Sequence, residues 1–295
     1  MITPNPIDLT TLAAVKQWAN VGVTPNQSAA VPASSPYAIQ TNAQSNIGVS
    51  YAGGASLTEV ESAPSRGQYT FANGLYTFAA ADANASVVLN FIASTNDDQQ
   101  IQDCITAFSA YVLKLTGRGP MDGSMPTESP FVQPVAYDDF YDGSGTMRQQ
   151  VRNWPITAVT SVTVNGIAIP QSTSVQVPGW VVDGDKKFIT LRGGYSPNVA
   201  TFQNYRNQGV GLGYGPGFAY GPQNVEIVYT AGFSGVPDDL EMAARKVVAL
   251  NYVRRGWIGQ RSQAMAAGGG TVTYGTWEMD ADCKETIMYY RRQTG

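Results

Sequence analysis

Apolar residues recur along this chain in two rhythms, one of three and four residues and one of two, and each rhythm predicts its own kind of element. A first helix is predicted from about Asp8 to Asn20, with Asp8 or Thr10 as its cap and Leu12, Val15 and Ala19 on one face. Ile101, Ile105, Phe108, Val112 and Leu115 then follow at spacings of four, three, four and three, which marks an amphipathic helix over 96–116. Asn96 or Asp97 can cap it, Asp97 and Asp98 suit the positive end of its dipole, and Gly117 is placed to stop it. Pro237-Asp238-Asp239-Leu240 opens a third helix, with Leu240, Ala244, Val247 and Val248 or Asn251 inward and Gly256 at its end. A last helix, from about Met279 to Arg292, aligns Met279, Cys283, Ile287 and Tyr290, after a flexible joint at 266–270.

The two-residue rhythm appears between these helices. Residues 68–71 and 75–78 alternate on either side of Asn73-Gly74, a pair that supplies the positive φ angles of a tight hairpin. Val87 to Ile92 reads as a further strand. After Trp154-Pro155, residues 159–164 and 167–169 flank Asn165-Gly166 as a second hairpin, and strands near 180–182 and 187–191 flank Asp183-Gly184-Asp185. Val225 to Thr230 is another β-branched run, and these later strands are expected to join in one sheet or barrel.

Two stretches show neither rhythm. Pro25 to Asn46 is rich in Ser, Ala, Asn, Gln and Pro and reads as an extended linker. Residues 119–153, interrupted by Pro120, Pro126, Pro130 and Pro134, read as a long irregular connection. A second long loop, 193–224, carries aromatics among many glycines. The expected fold class is therefore α+β, a helical bundle packed with a small antiparallel sheet and interrupted by an inserted β unit between the first two helices. In domain terms, 1–24 and 93–295 form the core and 25–92 the insertion.

Composition narrows the function. Only 14% of residues are charged, the net charge is −4, and 18 basic side chains face 22 acidic ones, so no broad cationic face is available to grip nucleic acid. Histidine is absent, which removes the commonest general base, the usual zinc nitrogen donor and every Ser-His or Cys-His pair. Two cysteines, Cys104 and Cys283, make neither a four-thiolate metal site nor a disulfide framework, and a core role in a reducing compartment is expected for both. No segment reaches the roughly 18 consecutive apolar residues of a membrane span, so no membrane partner is expected. The chain is read as non-enzymatic and without a cofactor.

The doublets Asp97-Asp98, Asp138-Asp139 and Asp238-Asp239 have the carboxylates a hard cation wants, but helix starts explain two of them. Asp183-Gly184-Asp185 lacks the later glutamate of a calcium loop and fits a hairpin turn. The glycine run at 209–217 has dinucleotide-like spacing, yet Pro216 denies it the helix that a phosphate-binding turn must open. Tyr289, Tyr290, Arg291 and Arg292 have the composition favoured at protein interfaces, beside the alternative of a core helix with a charged cap. Lys186, Lys187 and Arg206 lie on turns or loops where they could brush a nucleic-acid backbone, beside the alternative of a solvated turn.

Several pieces in succession resemble one family. Asp8-Leu-Thr-Thr-Leu-Ala-Ala-Val-Lys16, the acid-led helix from Asp97 to Val112 with Leu-Thr-Gly-Arg118 after it, Tyr141-Asp-Gly-Ser-Gly145 followed by Asn153-Trp-Pro-Ile156, and Val236-Pro-Asp-Asp-Leu240 with Asn251-Tyr-Val-Arg-Arg255 are similar, in that order, to the head–tail adaptor (connector, or head-completion) proteins of tailed bacteriophages. The resemblance covers about 1–22 and 93–260; the stretch from Tyr69 to Asp82 looks like a small β repeat of phage structural proteins.

The resemblance implies a structural virion protein of the neck, made in the host cytoplasm. It would form a ring of roughly twelve copies beneath the portal, extend the DNA channel and offer a platform to the tail or stopper. Its partners would be the portal protein, the tail or stopper protein, further copies of itself, and double-stranded DNA passing without tight binding. Tyr289, Tyr290, Arg291 and Arg292 would then dock on the portal, and Lys186, Lys187 and Arg206 would line the channel. The alternative is a phage surface or fibre-associated protein whose inserted β unit recognises a host ligand.

Overall fold

A computed structural model of the chain describes residues 3–120, 124–175, 177–192, 217–255, 262–264, 271–273 and 279–292. The helical-bundle expectation is overturned. Among the described residues, four α-helices stand against sixteen strands, and the strands fall into five separate sheets. The chain is predominantly β. Its contacts divide it into two units, one of Met1–Pro4, Thr10–Phe108 and Met242–Cys283, the other of Asn5–Leu9, Ser109–Glu241 and Lys284–Gly295.

The first unit begins with helix α1 (Leu12–Trp18), capped by the Thr11 hydroxyl, which accepts from the Ala14 N–H at 3.2 Å. Three strands, β1 (Val23–Ala30), β3 (Ala43–Tyr51) and β7 (Ser86–Ala93), form an antiparallel sheet with β7 in the middle. Four more, β2 (Ala38–Gln40), β4 (Thr58–Glu59), β5 (Gln68–Ala72) and β6 (Leu75–Phe78), form a second sheet in the order β2-β6-β5-β4. Tyr69, Tyr76, Phe78, Val87, Leu89 and Phe91 bury their side chains in the core of this unit. The Asn73-Gly74 hairpin forms as predicted, with φ of +51° and +78°.

The linker expected over 25–46 is instead three strands, β1, β2 and β3. Its polar composition belongs to an edge: four consecutive residues of β1, Pro25 to Ser28, are exposed, and pairing with β7 needs only their backbone. Pro25 and Asn26 stand where the register shifts between Thr24 and Gln27, and Asn26 adopts φ +57°, so the proline occupies an edge bulge rather than breaking the strand.

Helix α2 (Asp98–Leu115) buries Ile101, Ile105, Phe108 and Val112 as its spacing predicts, while Leu113 takes the fully buried place expected of Leu115. Neither aspartate at its start is a simple cap. Asp98 receives the Nζ of Lys16 at 2.6 Å, the Thr95 N–H at 3.1 Å and the Thr95 hydroxyl at 2.6 Å. Asp97 receives the Tyr252 hydroxyl and Arg255 Nη2. Tyr252 lies on α3 (Asp238–Arg254), whose Leu240, Ala244, Val247 and Val248 are buried as the sequence predicts.

The second unit also carries two sheets. Strands β8 (Val135–Gly143), β10 (Ile156–Val164), β11 (Ile167–Ile169) and β14 (Gly221–Ala231) are ordered β11-β10-β14-β8; β9 (Arg148–Gln150), β12 (Gly179–Val182) and β13 (Phe188–Arg192) are ordered β12-β13-β9. The single sheet or barrel expected here is thus two sheets, and they share one core containing Val151, Val162, Trp180, Ile189, Phe218 and Ile227. The irregular connection expected over 119–153 contains β8 and β9. β8 alternates cleanly, but its inward places hold Asp139, Tyr141 and Gly143 instead of aliphatics, so hydropathy alone conceals it. Asn165-Gly166 turns its hairpin with φ of +50° and +76°. The last helix, α4 (Ala281–Tyr289), buries Cys283 and Ile287. A further hairpin, β15 (Ser262–Ala264) with β16 (Thr271–Thr273), belongs to the first unit.

Candidate functional site

Arg118 owes its position to the way α2 ends. Gly117 takes φ +68°, its N–H reaches the Lys114 carbonyl at 3.1 Å, and the Arg118 N–H reaches the Leu113 carbonyl at 2.9 Å. That is the paired bonding of a glycine-terminated helix, which a residue with a Cβ adopts only under strain. After the reversal only 7% of Arg118 remains exposed. Its Nε donates to the Tyr290 carbonyl and its Nη1 to the Trp154 carbonyl, both at 2.8 Å.

Aromatic rings enclose the guanidinium. Its Cζ lies 5.0 Å from the Trp154 ring centre and 5.4 Å from that of Phe131, within cation–π range. Tyr290 stacks on Trp154 at 6.2 Å and meets Phe131 edge-on at 5.8 Å, while Phe233 stands 5.6 Å from Tyr290. Gly232 brings Phe233 in: its φ is +138°, and a Cβ there would stand 2.7 Å from the Pro130 carbonyl oxygen. Lys187, leading into β13, sets its Nζ 4.2 Å from the Trp154 ring centre and 6.0 Å from that of Tyr289. Tyr289, 67% exposed, lies edge-on to Trp154 at 6.1 Å and to Tyr290 at 5.3 Å.

Two donors in this cluster have no acceptor. Among the described residues, Arg118 Nη2 and Trp154 Nε1 are the buried side-chain atoms without a hydrogen-bond partner. Leaving such a donor unsatisfied costs about 1–3 kcal/mol. Burial pulls the Arg118 guanidinium down to about 10, with the neighbouring Arg292 adding to the effect, yet it stays protonated at neutral pH. Burial, then the hydrogen bond to Asp239 at 2.7 Å, pushes the Tyr290 phenol up.

Beside the cluster lies a polar network that is satisfied throughout. Asp139 Oδ2 accepts the Tyr229 hydroxyl at 2.7 Å and the Tyr141 hydroxyl at 3.0 Å; Arg152 and Arg292 approach its Oδ1 at 3.6 and 3.7 Å. Burial is the first cause raising both phenols. In the first unit, a groove of about 470 Å³ lined by Tyr51, Arg66 and Asp82 is likewise settled: the buried Asp82 carboxylate already accepts the Tyr51 hydroxyl at 2.6 Å and the Gly67 N–H at 3.1 Å. Among the described residues, no three acids or cysteines gather in a group able to hold a metal ion.

The residues singled out from sequence fall as follows. Tyr289 is exposed and Tyr290 buried; Arg291 is exposed, and Arg292 is half-buried with its N–H on the Thr116 carbonyl at 2.7 Å. Lys186 stands exposed in the β12–β13 turn at φ +53°, whereas Lys187 joins Tyr289 and Tyr290 around Trp154. Arg206 lies outside the described residues, as do the glycine run before Gly217, the joint at 266–270 and most of the loop 193–224. Sequence reasoning missed Arg118, Trp154, Phe131 and Phe233 as parts of a site. The one available signal was the arginine directly after a helix-stopping glycine.

Comparison with known protein families finds no match, and comparison with curated proteins finds none either.

Proposed function

We propose that this chain is a non-enzymatic structural protein of the phage neck, a head–tail adaptor that joins the portal to the tail or stopper in a ring around passing DNA. The reading rests on the resemblance of its motifs in order. The observation that carries it furthest is the exposed end of α4, where Tyr289 meets Trp154 and Tyr290 edge-on beside the buried Arg118. Those residue types dominate the energetic centres of protein interfaces. Low charge suits the role, because a wall that neutralised many phosphates would hold DNA through counterion release instead of letting it slide.

Two measurements test the proposal. A photo-crosslinking residue at position 289 is expected to capture the portal protein inside intact particles. Purified protein is expected to sediment as a ring at high concentration or on mixing with portal. Particles that lack this chain yet remain joined to their tails would overturn it.

A further inference from the structure

Among the described residues, Arg118 Nη2 and Trp154 Nε1 differ from the other buried polar side-chain atoms in one respect: both donate, and neither has anything to donate to. The missing group is therefore an acceptor. Charge narrows it further. Among the described residues no carboxylate pairs with Arg118, which holds two neutral carbonyls, and Lys187 adds a second cation over the same Trp154 ring. The nearby acids are occupied, Asp239 by the Tyr290 hydroxyl and Asp139 by the Tyr141 and Tyr229 hydroxyls. A guanidinium held among aromatic rings, beside an ammonium and without a counter-charge, is complementary to an anion.

We propose that this cluster is the receptor for a carboxylate presented by a partner protein, as an Asp or Glu side chain or a chain end, whose oxygens take the Arg118 Nη2 and Trp154 Nε1 hydrogens. Its identity as a portal contact rests on the function proposed above; its chemistry does not. A protein carboxylate fits better than a DNA phosphate for two reasons. Both donors are buried, and a single flexible side chain reaches a buried donor more readily than the rigid backbone of a duplex. The net charge of −4 also repels a polyanion as a whole while leaving one local cationic pocket intact.

The way in is Tyr289. It stands at the last turn of α4, is 67% exposed, and meets the cluster through edge-on contacts with Trp154 and Tyr290. The proposed route requires that ring to swing outward; the Tyr290 stack on Trp154 at 6.2 Å is a separate contact. The aromatic cover then becomes the dry rim that strengthens a charge-assisted hydrogen bond.

Indole N–H resonances of the full-length ¹⁵N-labelled protein test this directly. The chain has five tryptophans, and Trp154→Phe identifies the resonance of interest by its loss. Addition of sodium acetate, and more strongly of a free-acid tetraglutamate peptide, is expected to move the Trp154 indole resonance downfield to saturation. Arg118→Lys keeps the charge but loses the planar fork, and is expected to weaken tetraglutamate at least about tenfold while the other four indoles report an intact fold. An indole resonance that stays still throughout the carboxylate titration overturns the proposal. An equal response to sodium phosphate or to a short DNA duplex also overturns it, in favour of a general anion or nucleic-acid surface. If the resonance responds but position 289 never crosslinks in particles, the carboxylate site stands and the neck assignment falls; the reverse pair of results removes the carboxylate alone.

Discussion

Each unit of this protein buries a cation, and the two are treated differently. In the first unit Lys16 is wholly buried, with its ammonium on the Asp98 carboxylate at 2.6 Å, on Gln44 Oε1 at 3.3 Å and on the Ala93 carbonyl. Asp98 in turn is held by Thr95 and by the Ser94 hydroxyl at 3.2 Å. In the second unit Arg118 has two carbonyls, no carboxylate among the described residues and one idle nitrogen, beside an indole that is idle too. The second unit is capable of full satisfaction, because its Asp139–Tyr141–Tyr229 network achieves it. A closed ion pair ties one helix to the start of the next and asks for nothing further. An open one keeps binding capacity in reserve at the expense of local stability.

The sharpest break in this comparison is Lys16→Met, which strands the Asp98 carboxylate in the core and is expected to destabilise the first unit by about 3–5 kcal/mol in urea denaturation. The double variant Lys16→Met/Asp98→Leu is expected to recover most of that loss, since removing both charges leaves neither unpaired. In the second unit, Tyr229→Phe deletes a hydroxyl that Asp139 accepts, with an expected cost of about 1–3 kcal/mol. Arg118→Met is expected to cost only about 1–2 kcal/mol, because relief of an uncompensated buried charge offsets the two lost carbonyl bonds. A loss for Arg118→Met as large as that for Lys16→Met would erase the contrast between the two cations. The smallest net effect is expected from Trp154→Phe, a loss of about 1 kcal/mol or less, since relief of an unsatisfied buried donor offsets most of the cost of the space the larger ring leaves.

Acid sharpens the same comparison. Burial by itself would raise the Asp98 carboxyl, but hydrogen bonds from Lys16 and Thr95 outweigh it and hold the group below its ordinary value. A depressed carboxyl contributes stability that is complete above its unfolded value near about 4 and is lost as pH falls through the lower folded value. The stability difference between wild type and Lys16→Met is therefore expected to be constant above about pH 5 and to shrink on acidification below about pH 4. A difference that persists to about pH 2 would mean that Lys16 acts through packing and not through its charge.

Much of the local structure was legible. The helices over 98–115 and 238–254 follow from apolar spacing, and the Asn73-Gly74 and Asn165-Gly166 turns follow from the positive φ those residues tolerate. The balance of the fold was not legible, because β1 and β8 carry their pairing in the backbone. A polar edge strand such as Pro25–Ser28 and a strand that buries Asp139 beside Tyr141 look like loops to any reading based on hydropathy. Misreading those two as linker and loop is what turned a β-rich chain into an expected helical bundle. The site divides similarly. Tyr289 and Tyr290 stood out by composition, while Arg118, Phe131, Trp154 and Phe233 are scattered in sequence and meet only through a helix reversal and two sheets.

By itself, then, the order of residues determined what depends on near neighbours: helix periods, their glycine stops, hairpin turns and the exclusion of imidazole chemistry. Only the tertiary structure decided which polar groups would find partners. That outcome depends on where segments distant in sequence are brought together, as when Arg118 meets the carbonyl of Tyr290, 172 residues on, or Lys16 meets Asp98, 82 residues on. Hydrogen bonding of a buried charge is a matter of position, and position over such distances is a property of the folded chain.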